Sequence, residues 1–185
     1  MTPCRWPGVV DLATAPWRTD AFEIWAVLRS WFFIASDSGP YFLSRLARVP
    51  CLSVNVLQIG YYTRRADDRY ICKLVRDNIS GRTLTVREML TEAFIAGALD
   101  EERYSWIENR PDDILEAIED TVRLMHSDPK VRRPRTQAQR THDTLMAELA
   151  GRVSGPRPRF GLQLRPPGPG SMSARFAERY LGGGD

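Results

Sequence analysis

The sequence predicts an α/β domain built on a doubly wound parallel sheet. Three observations carry that expectation. Residues 31–35, Trp-Phe-Phe-Ile-Ala, form an apolar run too short for a helix and without alternation, as expected of a strand buried on both faces. Ser36-Asp37-Ser38-Gly39-Pro40 is a dense turn signal that leads into helical spacing. Residues 51–57, Cys-Leu-Ser-Val-Asn-Val-Leu, then read as the next strand. Strand, helix and strand in this order call for a crossover and a parallel pair.

The elements follow in order. Val9-Val10-Asp11-Leu12 reads as a first short strand. Thr19 or Asp20 is an N-cap for a helix through Phe22, Trp25, Ala26 and Leu28. After the 31–35 strand, Pro40 suits a first helical turn, where its missing N–H is not needed. Phe42, Leu43, Leu46 and Ala47 recur at helical spacing until Val49-Pro50 stops the helix. Gly60 to Ser80 is polar and reads as an irregular segment. Thr85-x-x-Glu88 is a capping box, with Val86, Met89, Leu90, Ala93 and Phe94 as the apolar face behind it. Tyr104–Ile107 reads as a last short strand. Pro111, Asp112 and Asp113 open a helix whose first turn favours acids, with Ile114, Ile118, Val122 and Met125 as its buried stripe. Residues 137–150 and 171–181 read as further helices. Between them, residues 151–170 hold five prolines and five glycines and read as an irregular connector. The division expected is an α/β domain over 1–129 and a basic, partly helical tail over 130–185.

Composition narrows the function. The 185 residues suit one domain of ordinary size, and no run of 18 apolar residues offers a membrane span. The start of the chain has no apolar signal-peptide core. Three cysteines without a CxxC pair argue against a disulfide framework or zinc site, and fit a reducing, cytoplasmic setting. The net charge of +3 divides into −4 over residues 1–129 and +7 over 130–185. Only Lys73 and Lys130 are lysines among 26 basic residues. Without a nucleic-acid-binding motif, or aromatics beside these arginines, no nucleic-acid partner is expected.

The candidate site is the loop Ser36-Asp37-Ser38-Gly39-Pro40. It follows a strand and opens a helix, the place where parallel sheets bind ligands and where free N–H groups accept phosphate. The same residues also make an ordinary turn and cap. Asn55 ends the following strand, and Arg64 and Lys73 lie in the polar segment, where each serves either to neutralise a diphosphate or as a solvated cation. Asp67-Asp68 reads as a solvated turn, and the Asp112, Asp113, Glu116, Glu119 and Asp120 face as a solvated helix surface. His126 sits at a helix C-terminus, and His142 has no evident partner. Cys51 and Cys72 read as small buried hydrophobes.

The run from Trp31 to Pro40 resembles the donor-side loop of GT-B glycosyltransferases. Heptosyltransferases carry a similar Asp-Thr-Gly-Pro loop, matched here by Ser38-Gly39-Pro40 and then Arg48-Val49-Pro50. More of the chain is similar to a bacterial family of glycosyltransferases. The shared segments are Asp11-Leu12-Ala13, Pro16 to Ile24, Asn55, Ile71-Cys72-Lys73, Leu84 to Glu88, Glu108 to Ile114 and Ser173 to Phe176. They span most of residues 9–127 and resume near 171–181.

That resemblance implies a single Rossmann-like domain, the C-terminal, nucleotide-sugar-binding half of a GT-B enzyme. It implies a nucleotide diphospho-sugar as donor and a glycan or lipid-linked acceptor. Ser36–Pro40 would hold the diphosphate, with Asn55 at the strand end and Lys73 and Arg64 offsetting charge, and no metal or other cofactor is implied. The acceptor-binding half would come from a missing N-terminal domain or a partner subunit, so the chain alone is expected to be incomplete. The competing expectation is a non-catalytic α/β interaction domain, or a remnant, that docks through its basic tail.

Overall fold

A computed structural model describes residues 6–36, 39–57, 65–98, 100–127, 135–152 and 167–182. Its elements in chain order are α1 (Asp20–Arg29), β1 (Phe33–Ala35), α2 (Gly39–Leu46), β2 (Cys51–Val56), β3 (Arg69–Cys72), β4 (Leu74–Asp77), α3 (Val86–Met89), α4 (Glu92–Gly97), β5 (Tyr104–Ile107), α5 (Pro111–His126), α6 (Gln137–Arg152), β6 (Ser171–Met172) and α7 (Ala174–Tyr180). Strands β1, β2, β3 and β6 form a parallel sheet in that order. Strands β4 and β5 form a separate antiparallel ribbon. The chain is therefore α/β with a four-stranded parallel sheet, as its strand–helix–strand pattern predicts.

Local chemistry explains the helix ends. The Thr19 hydroxyl accepts from the Phe22 N–H at 3.1 Å and opens α1. At the end of α2, Arg48 adopts φ of 60°, and the Val49 N–H returns to the Ser44 carbonyl at 2.9 Å. That left-handed residue turns the chain into β2. The Thr85 capping box forms in full. Thr91 then caps a second short helix, so the apolar face behind Thr85 is shared between α3 and α4.

The core joins both ends of the chain. Leu52, Val56 and Ile71 of the central strands pack in one cluster with Met146, Leu149, Met172 and Phe176. The segment 130–185 thus contributes α6, β6 and α7 to the same core as the residues before it. Residues 171 and 172, expected in a helix, instead pair with Arg69 and Tyr70 as β6.

Several expectations need correction. Residues 9–12 form no strand but irregular chain leading into a turn, and Val9 and Val10 are exposed. The segment Gly60 to Ser80 is not irregular throughout, since β3 and β4 lie within it. Their apolar pairs, Tyr70-Ile71 and Leu74-Val75, are short and interrupted by Lys73, which hides them from a periodicity reading. On α5 the buried line runs through Asp113, Ala117 and Thr121, with Ile114 and Ile118 half-buried beside it. Asp68 is buried and accepts from the Cys51 and Arg65 N–H groups at 3.1 and 3.0 Å. It joins the start of β2 to the turn before β3 and is no solvated turn residue.

His142 is likewise partnered. It is wholly buried on α6, with Nε2 3.3 Å from the Tyr70 hydroxyl and Nδ1 3.2 Å from the Asp143 carboxylate. Arg135 pairs with Asp143 and donates from Nη2 to the carbonyls of Gly168, Pro169 and Gly170 at 3.3, 2.9 and 3.0 Å. The group pins α6 to β3 and to the chain entering β6. Burial pushes the Tyr70 phenol well above its usual range.

Cys51 and Cys72 are buried free thiols, as read from the sequence. Burial lifts Cys51 to about 11, partly countered by its contact with Ser53, and lifts Cys72 to about 12. In the unfolded chain both ionise near 9. Their contribution to stability is therefore complete below that value and is lost as pH rises toward 12. In a Cys4→Ser variant neither thiol should react with an alkylating reagent at neutral pH, and both should react in denaturant. An adduct on the folded protein, read by intact mass, would contradict this burial.

Candidate functional site

Parallel strands end at a common edge, and three of the residues singled out in the sequence lie along it. Ser36 follows β1 and is exposed, Asn55 lies at the end of β2, and Lys73 follows β3. Neighbouring strands lie about 4.8 Å apart, so the three occupy successive positions on one rim. Gly39 and Pro40 open α2 on the same side and are exposed. A Cβ built on Gly39 would meet no atom within 4 Å, so there is open space beside the first turn of α2 at that residue. Asp37, Ser38 and Arg64 lie outside the described residues.

Asn55 is held in an unusual way. Between Ser53 and Val56, β2 spends one residue more than β3 does, and Asn55 takes φ of 54°. Asparagine tolerates this left-handed conformation better than most residues. The kink aims Asn55 at Asn109, just before α5. The Asn55 N–H donates to Asn109 Oδ1 at 2.6 Å, and the Asn109 N–H donates to Asn55 Oδ1 at 2.6 Å. Asn109 Nδ2 also donates to the Cys72 carbonyl at 2.7 Å. One side chain thereby ties the ends of β2 and β3 to the start of α5.

Lys73 sits beside this bracket. Its N–H bonds the Val56 carbonyl at 2.9 Å, and its ammonium meets Glu108 at 2.5 Å. The lysine side chain is 19% exposed and the glutamate 66%. A pair with one partner in water is weak, and an incoming anion can displace the carboxylate. Lys73 is thus a tethered cation at the strand edge and not a solvated one.

A cavity of about 330 Å³ opens next to these residues. Its wall includes Glu108, Asn109, Arg110, Asp113, Arg179 and Tyr180. Asp113 is buried within it. Its carboxylate accepts from Arg179 at 2.6 Å and from the Tyr180 hydroxyl at 2.9 and 3.1 Å. Arg179 also reaches Glu116 at 2.7 Å. The Glu116 bond, then the Asp113 bond, hold the guanidinium above its ordinary pKa. Burial, then the Asp113 contact, raises the Tyr180 phenol. The acidic face of α5 is therefore largely covered by α7, because Arg175 likewise meets Glu119 at 2.8 Å and Asp120 at 3.7 Å. Of the five acids on that face only Asp112 stays clear of α7, at the surface beside Arg110.

A second cavity, about 290 Å³, lies at the opposite end of α5 among Arg69, Asp120, Arg123, Gln139 and Arg175. Arg69 is bound to the Ala66 and Asp68 carbonyls, Arg123 to Glu119, and Arg175 to the α5 acids. Its cations serve the fold, and it lies by Arg69 at the amino end of β3 and the start of α7. The rim with Ser36, Asn55 and Lys73 is the better placed of the two, since open α/β sheets take ligands at their carboxyl ends.

Comparisons with protein-family models, curated proteins and solved structures find no match for this chain. The site therefore stands on its geometry. Among the described residues, no group of three or more His, Cys, Asp or Glu is arranged to hold a metal ion, and no helix is long and apolar enough to cross a membrane. The described arginines of the basic segment are engaged within the fold: Arg135 with Asp143, Arg175 and Arg179 with α5, and Arg152 with Glu92.

The sequence pointed to Ser36, Gly39, Pro40, Asn55 and Lys73. It did not single out Glu108, Asn109, Arg110, Asp113, Arg179 or Tyr180 as site residues. Asn109-Arg110-Pro111 carried a local signal, a polar pair directly before a helix-opening proline. Arg179 and Tyr180 carried none, because their partners lie more than sixty residues away.

Proposed function

We propose that this chain is the donor-binding part of a GT-B glycosyltransferase, taking a sugar from a nucleotide diphospho-sugar to a glycan or lipid-linked acceptor. The observation that supports it is the shared carboxyl rim of β1, β2 and β3, with the exposed start of α2 at Gly39 and Pro40 beside it. A helix N-terminus suits a diphosphate, and the exposed Gly39 lets one come close to the backbone. Lys73 exchanges Glu108 for the leaving diphosphate and stabilises its developing charge, the largest catalytic contribution such a site offers. The Asn55–Asn109 bracket keeps the rim rigid, so the cation and the helix start hold a fixed separation. The acceptor side belongs to a second domain or subunit.

Calorimetry with UDP-, GDP-, ADP- and CMP-sugars tests this reading. One nucleotide should bind saturably and keep binding at moderate salt. Lys73→Ala should weaken that binding about tenfold or more, a loss of about 1.4 kcal/mol. Glu108→Gln should leave it equal or tighter, because the lysine is released. A folded chain that binds none of the four sinks the proposal.

A further inference from the structure

We propose that two copies of this chain pair through the outer edge of β1 and the apolar faces of α1 and α2 beside it. Among the described residues β1 pairs with β2 alone, so its other edge presents unpaired backbone groups. Parallel strands are normally covered on both faces, yet Ile34 in this one is 41% exposed. The neighbouring elements share the pattern. α1 turns Trp25 (55% exposed) and Leu28 (54%) outward, one turn apart, although its sequence is apolar nearly all round. α2 turns Phe42 (63%) and Leu46 (82%) outward, again one turn apart. Trp31 (53%) leads into β1. α1 packs on α2 and α2 on β1, so the three elements share one flank.

Area and charge select the occupant. These six side chains expose on the order of 700 Å² of apolar surface. The largest patch on an ordinary monomer is roughly 300–600 Å². A standard interface removes about 800 Å² from each partner. A second copy brings the same open edge and the same patch, and a two-fold axis covers both at once with β1 antiparallel to its mate. The charges near the patch carry both signs: Asp20 and Glu23 stand with Arg18, Arg29 and Arg45. Arg18 is tied to Glu23, and Arg45 stacks over the Tyr41 and Phe42 rings at 5.0 and 5.9 Å. An anionic lipid surface would call for a clear basic excess instead.

Sedimentation velocity of the full chain tests the pairing independently of any ligand. The protein should sediment as a dimer at micromolar concentration. Trp25→Lys combined with Phe42→Lys, and separately Ile34→Lys, should each weaken the dimer about a hundredfold or more. Trp25 and Phe42 are more than half exposed and Ile34 is 41% exposed, so far-UV circular dichroism should be unchanged. A wild-type chain that stays monomeric across the micromolar range overturns the proposal. A dimer indifferent to both variants also overturns it, as does a monomer that floats with phosphatidylglycerol vesicles.

Discussion

Asn109→Ala is expected to destabilise the protein by about 3 kcal/mol, because it leaves the Cys72 carbonyl and the Asn55 N–H without partners. Cys72 is fully buried, so its carbonyl has no water to turn to. A buried group left unsatisfied costs about 1–3 kcal/mol, and here there are two. For a chain of this length that loss lowers the thermal midpoint by roughly 6–12 °C. Asn109→Asp sharpens the test. It keeps an oxygen for the Asn55 N–H but sets a second oxygen against the Cys72 carbonyl. The aspartate variant should therefore be at least as unstable as the alanine variant despite its matching shape. If urea unfolding gave Asn109→Asp the wild-type midpoint, the bond from Nδ2 to Cys72 would not exist.

Asp113→Ala should cost about 2 kcal/mol. The change removes the acceptor for both Arg179 and the Tyr180 hydroxyl. Breaking a fully buried ion pair costs about 3–5 kcal/mol. The lower figure applies here because Arg179 is 38% exposed and retains Glu116. A double-mutant cycle with Arg179→Ala should show a coupling of about 1 kcal/mol. Strict additivity of the two changes would mean that α7 is held by its apolar side, Phe176 and Ala177, and not by these charges.

Both predictions concern contacts between distant parts of the chain, and neither was legible beforehand. What could be read were features whose cause is local. Thr85 and Glu88 lie three residues apart and satisfy each other's backbone N–H groups, so the capping box is visible in any copy of the sequence. Thr19 before α1 and Pro111 at the start of α5 are of the same kind. The runs at 31–35 and 51–57 marked β1 and β2; β2 is buried nearly throughout, as a central parallel strand should be, whereas β1, read as buried on both faces, leaves Ile34 exposed at the sheet edge. Even there the edge position of β1 could not be read, since strand order depends on where later segments dock.

The C-terminal segment makes the same point from the other side. Its proline, glycine and arginine content describes an irregular basic tail. Yet Ser171 and Met172 add a fourth strand to the sheet, and Gln139 of α6 secures them by donating to the Met172 carbonyl at 2.7 Å. Arg175 and Arg179 look like surface cations until α5 supplies their carboxylates. His142 looks like one polar residue on a polar helix until Tyr70 meets it across the core.

By itself, then, the sequence determined an α/β class with a parallel sheet, the caps at Thr19 and Thr85, and the strand ends at Ser36 and Asn55, whereas Lys73 joined them on one rim only through β3, which its short apolar runs concealed. Tertiary structure alone decided which charges are buried, which pairs close the rim and which flank stays open. Those outcomes depend on residues brought together from 54 positions apart at Asn55 and Asn109, and from 72 apart at Tyr70 and His142. Burial turns such meetings into strong constraints, since a polar group removed from water must find its partner inside the fold.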